Sequence, residues 1–158
     1  MTAVCEEIGA GRCGIRISPV TPANDASDAA PQALFEHVTQ FLGTLALAYV
    51  HVIEGSTGAA RDYQQGDHAF DYKAMKAAYQ KAGGKGAWML NNGYERDLAD
   101  QALQADADLI AFGKSFIANP DLGARLKQNG PYNTPDRATF YGGKEVGYTD
   151  YPTLPKAH

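Results

Sequence analysis

LIAFGKSFIANPDL, residues 109–122, is the stretch on which the fold turns. It opens as an apolar strand and breaks at Gly113. Lys114 follows, then a short helical turn, then the helix-start signal NPDL. A strand that ends in glycine and passes quickly into a helix is the joint of a βα unit. Working outward, the same joint recurs towards the N-terminus. CGIRIS (13–18) reads as a strand, followed by a polar loop with three prolines and the helical pattern PQALFEHVTQFLGTL (31–45). Pro31 suits a first helical position, with Asp28 or Ala30 before it. Leu34, Val38, Phe41, Leu42 and Leu45 recur at helical spacing.

LAYVHVI (47–53) is nearly continuous in apolar residues, as a strand buried on both faces should be. FDYKAMKAAYQKAG (70–83) is helical, with Phe70, Ala74, Ala77 and Ala78 towards one side, and a double glycine stops it. GAWMLN (86–91) is a third strand and ERDLADQALQAD (95–106) a third helix. ADLIAFG (107–113) is the fourth strand, and PDLGARLKQN and a Gly/Pro/Tyr-rich tail complete the chain. Strands alternating with helices predict an α/β fold with a parallel sheet and right-handed crossovers. Four such units fit either a small open sheet or part of an eight-stranded barrel, which takes about 250 residues. No composition break suggests a second domain.

Composition narrows the function. The chain has 158 residues, 44% hydrophobic and 20% charged, with a net charge of -4. That balance argues against a nucleic-acid partner, which calls for clustered Lys and Arg. No apolar run approaches the ~18 residues of a membrane span. The N-terminus lacks the basic and apolar regions of a signal peptide. Cys5 and Cys13 form no CxxC and no Cys/His cluster, so two reduced thiols, no metal site and a cytoplasmic location are expected. His51 and His68 match no metal-ligand spacing, and His51 reads as a packed or capping histidine. Glu54 stands at a strand end with no visible partner, and Trp88 reads as core.

Ligands of parallel α/β folds bind beyond the carboxyl ends of the strands. RISPVTP, VIEGSTG, NNGY and FGKSF all fall there. Gly93 and Gly113 would let backbone amides approach an anion, Lys114 adds a charge, and a short helix starting at Ser115–Phe116 adds its dipole. The other reading is a pair of tight turns beside a solvated lysine. Spacing alone does not separate the two.

GIRISPV, FGKSFIANPDL and above all FYGGKEVGYTDYPTL (140–154) resemble the C-terminal part of the old yellow enzyme family, of the N-ethylmaleimide reductase and xenobiotic reductase type. The resemblance runs from AVCEEIGAGR to YPTL. It implies an FMN-dependent, NAD(P)H-driven ene-reductase on a (β/α)8 TIM barrel, acting on activated alkenes such as enones, maleimides or nitro compounds. The whole chain, 1–158, would be one half-barrel holding strands five to eight. Arg16 matches the strand-five arginine at the flavin N1–C2 carbonyl region, where a cation stabilises the anionic reduced ring. Asn92 and Gly93 match the turn that gives amides to the FMN phosphate. Gly113 and Lys114 match a Gly-Arg pair at the same phosphate, with lysine in place of the usual arginine and its bidentate fork. Tyr141 matches a tyrosine leaning over the flavin, while Phe116 and Phe140 would pack near the cofactor. Tyr148 and Tyr151 read as tail packing.

The same resemblance implies what is missing. The family's strand-four His/Asn or His/His clamp, its tyrosine proton donor, a strand-one Thr or Cys and a strand-three Gln have no counterpart here. No catalytic residue is therefore assigned, and the chain reads as truncated. Its edges near Ile15 and Ile110 would be open and the sheet's inner face exposed. Self-association, or pairing with an N-terminal half-barrel, is expected. The alternative is a non-catalytic flavin- or phosphate-binding fragment, or half of a split enzyme, inactive alone.

Overall fold

A computed structural model describes residues 1–22, 26–55, 69–142 and 144–155. They form two compact units, Met1–Ala111 and Phe112–His158. The first opens with α1 (Thr2–Ile8) and a 3-10 turn (Ala10–Arg12). Then come β1 (Gly14–Ile17), α2 (Pro31–Gly43), β2 (Tyr49–Ile53), α3 (Tyr72–Lys81), β3 (Ala87–Asn91), α4 (Arg96–Ala105) and β4 (Leu109–Ala111). The strands form one parallel sheet in the order β1-β2-β3-β4. Each strand begins and ends within two residues of its sequence expectation.

Local chemistry sets the helix starts. Pro31 occupies the first turn of α2, and the Asp28 carboxylate accepts from the Ala30 amide at 2.7 Å. Asp71 caps α3 by accepting from the Ala74 amide at 2.9 Å. Gly83, at φ +100°, lets the chain leave α3 in a conformation other residues resist.

Strand periodicity divides the sheet into two faces. One carries Ile17, Val50, Val52, Trp88 and Leu90, all buried with Leu42, Met75 and Tyr79 of the helices. The Tyr79 ring packs on Trp88 with centroids 5.5 Å apart. The Thr39 hydroxyl of α2 donates to the Met75 carbonyl at 3.1 Å. The inward residues of the helices differ from the expectation. In α3 they are Met75 and Tyr79, while Ala77 is exposed and Phe70 precedes the helix. In α2, Thr39, Leu42 and Gly43 are buried, whereas Leu34 and Phe41 face solvent. The two helices approach so closely that a Cβ on Gly43 would lie 2.4 Å from the Tyr79 carbonyl oxygen. Only small side chains fit that contact.

The second face carries the register row Arg16–His51–Met89–Leu109, with Gly14, Tyr49 and Ala87 two residues earlier. Within this unit no described helix packs on it as α2 and α3 pack on the first face: Arg16, Tyr49 and Leu109 are exposed. On the second face the run at 47–53 is thus only partly buried: Tyr49 is exposed and His51 half-buried, while Leu47 and Ile53 at its ends are buried.

The second unit contains α5 (Lys114–Ala118), α6 (Leu122–Gln128) and a 3-10 turn, Arg137–Thr139. Buried Arg125 is its hub. Its Nε donates to Asp121 at 2.6 Å, one Nη to the Pro131 carbonyl and the other to the Pro152 carbonyl at 2.8 Å. The Leu154 amide donates to Asp121 at 2.6 Å. The Arg125 and Leu154 bonds hold the Asp121 carboxyl below the usual carboxylate range.

Candidate functional site

Arg16 projects from β1 onto the uncovered face. It has no hydrogen bond or ion pair among the described residues. Its register neighbour is His51, and the row continues in Met89 and Leu109. The His51 Nε2 is buried and lacks a hydrogen-bond partner among the described residues. Burial, and then the charge of Arg16, keep the imidazole pKa below its ordinary value, so the ring is neutral at pH 7. The ring is thus packed in the sheet, with one nitrogen left without a partner among the described residues.

Two residues beyond Met89 the chain leaves β3 at Asn91. Asn92 (φ +94°) and Gly93 (φ +70°) then turn it through two successive left-handed conformations. The Asn92 side-chain amide donates to the Glu54 carbonyl at 2.5 Å. The Tyr94 hydroxyl donates to the Glu54 carboxylate at 2.5 Å. The Asn91 side-chain amide donates to the Ala111 carbonyl at 2.6 Å. Glu54, which showed no partner in the sequence, is therefore a buried brace joining the ends of β2 and β3. A glutamate at one strand end and a tyrosine just past the next was the available signal.

Gly113, Lys114 and Tyr141 belong to the second unit. Gly113 precedes α5, and its carbonyl accepts from Phe116 and Ile117 at 2.9 and 3.1 Å. Its φ of -94° needs no glycine. An added Cβ would meet nothing within 4 Å, so no described neighbour demands glycine there. Lys114 is exposed. Tyr141 is 94% exposed, while Phe140 is buried against it edge-on. Phe116 is exposed. Tyr151 does pack the tail: its hydroxyl accepts from the Asp136 amide at 2.8 Å. Tyr148 is exposed. His68 and most of the loop after β2 lie outside the described residues. Cys5 and Cys13 are free thiols. No described helix is long and apolar enough to cross a membrane.

Among the described residues, a cation without a partner stands beside a ring nitrogen without a partner, on a face bordered by a braced glycine turn. The family model described as NADH:flavin oxidoreductase / NADH oxidase family matches residues 1–133. A putative 12-oxophytodienoate reductase 10 of Oryza sativa subsp. japonica is 41% identical over 98% of this chain and 49% of its own length. A probable flavin mononucleotide-dependent alkene reductase of Leishmania infantum is 36% identical over 98% of this chain and 39% of its own. The solved old yellow enzyme of Trypanosoma cruzi superposes with a TM-score of 0.79 at 35% identity, over 98% of this chain and 38% of that one. The chain thus spans about half, or less, of the length of these relatives.

Proposed function

Because the chain belongs to the NADH:flavin oxidoreductase / NADH oxidase family, we propose that it is the FMN-binding part of an NAD(P)H-dependent reductase of activated alkenes. Its four βα units are half of a (β/α)8 barrel. The observation that carries the proposal is Arg16, a strand-borne cation without a partner among the described residues, on the face that a closed barrel would turn inward. Bound FMN would supply the hydride relay between the nicotinamide and the β-carbon of an enone, maleimide or nitroalkene. Arg16 sets a positive charge where negative charge gathers on reduction. Asn92 and Gly93 offer backbone amides to the phosphate. Gly113 leaves room for it, and Lys114 supplies a point charge. Tyr141 lines the alkene pocket.

The carbonyl clamp and the proton donor are assigned to the strands that complete the barrel. A specific observation favours a second reading, that this chain is one half of a split enzyme or a flavin-binding fragment inactive alone: β1 and β4 are both unpaired edges of the sheet. Purification followed by FMN titration and an NAD(P)H-oxidation assay with cyclohexenone tests both. The expected result is FMN binding without turnover by the lone chain, and turnover once the other half-barrel is supplied. Absence of FMN binding would defeat the proposal. Enone turnover by the lone chain would show that the clamp and donor had been wrongly placed elsewhere.

A further inference from the structure

We propose that His51 is a direct flavin contact, its Nε2 hydrogen-bonding the polar pyrimidine edge of the FMN ring beside Arg16. The inference rests on the flavin-binding reading above and deepens it. The sheet register fixes the position: His51 stands between Arg16 on β1 and Met89 on β3, on the uncovered face. A buried ring nitrogen is rarely left without a partner unless a ligand or ordered group supplies one. His51 Nε2 has none among the described residues.

The surroundings select the kind of partner. A metal ion would need more ligands, and no group of three or more His, Cys, Asp or Glu side chains suited to one is found among the described residues. Arg16 is the only charged group in the row, for Met89 and Leu109 are apolar and no acid faces the imidazole from β1 or β3. Burial and the Arg16 charge keep the ring neutral. Tyr49 lies over Gly14, where a Cβ would be 2.2 Å from the phenol ring. The row therefore offers, side by side, one cation, one neutral hydrogen-bonding nitrogen and an apolar floor. That set suits a flat heteroaromatic ring whose rim carries carbonyl and ring-nitrogen groups. A phosphate would be poorly served by a neutral imidazole over methionine.

FMN titration of the full chain, followed by flavin fluorescence, tests this in the wild type, His51→Phe and His51→Gln. Phenylalanine keeps the ring and removes both nitrogens, whereas the glutamine amide can reach the Nε2 position. We expect His51→Phe to weaken FMN binding about ten-fold and His51→Gln to restore it to within roughly three-fold, the scale of one hydrogen bond. In parallel, the 15N resonance of His51 Nε2 in the wild type should move on saturation with FMN and stay in place with inorganic phosphate. Equal FMN affinity in wild type and His51→Phe, or an unmoved Nε2 resonance in a flavin-saturated chain, overturns the contact and leaves the functional reading intact. A wild-type chain that binds no FMN overturns both, and that is seen before any variant is made. The NMR arm needs no substitution, so a variant that fails to fold does not shield the inference.

Discussion

Asn92 and Gly93 show how much of the site depends on single backbone angles. Both lie at positive φ, where a side chain at Gly93 would cost about 1–2 kcal/mol. Gly93→Ala should therefore lower the melting temperature and also weaken FMN binding, because the amides it aims would shift; a thermal melt and a flavin titration read the two effects separately. Lys114→Arg should act in the opposite direction. It restores a planar fork that can take two phosphate oxygens at once, and FMN affinity should rise several-fold with little change in stability. His51 adds a pH dependence. Its folded pKa is lowered from 6.5 by burial first and by Arg16 second. The stability it protects is therefore full above the ordinary imidazole value and is lost as pH falls towards the folded value. Denaturant melts should show the unfolding free energy declining as pH falls below the ordinary imidazole value, with a shallower slope in His51→Phe. The glycine turns drew notice through their place at strand ends, where anion sites form, whereas the role expected of Arg16 came only from the family resemblance. The orphaned nitrogen of His51 and the Tyr94–Glu54 bond were not, since each depends on which side chains a fold brings together across strands.

The strands and helices were legible in order and nearly in extent, because period-two apolar runs and the Pro31 and Gly83 punctuation act locally. The inward faces of α2 and α3 were less so. Hydrophobic spacing rightly marked Leu42, but it also marked Leu34 and Phe41, which are exposed, and passed over buried Thr39 and Gly43. Close helix approach reverses the usual ranking: the contact admits small residues and excludes large ones. Tyr79 shows the same constraint, for its carbonyl lies at Gly43, its ring stacks over Gly84, and its hydroxyl accepts from the Gly86 amide at 3.0 Å. Gly43→Ala drives a methyl into a backbone carbonyl that cannot move like a side chain. Thermal or urea unfolding should show a loss of roughly 1–3 kcal/mol. A neutral Gly43→Ala would mean that α2 and α3 are not in the close contact described.

Among the described residues, the parallel sheet is open in two ways. β1 and β4 each present an unpaired row of backbone amides and carbonyls, the arrangement that invites another strand. The face carrying Arg16, Tyr49 and Leu109 is exposed, although strands of a closed barrel would turn it inward. The rest of the relatives' length, more than half of each, is ample for the strands that would pair with both edges. A lone chain with these edges should self-associate, since edge pairing and burial of Tyr49 and Leu109 both favour contact between copies. Sedimentation velocity across a concentration series should show oligomers growing with concentration. Co-expression with the other half-barrel should replace them with a single one-to-one species, because its strands would occupy both edges and leave no template for further copies. A monodisperse monomer at every concentration would require the open edges and the exposed row to be harmless to solubility, and so would remove the physical basis for expecting a partner.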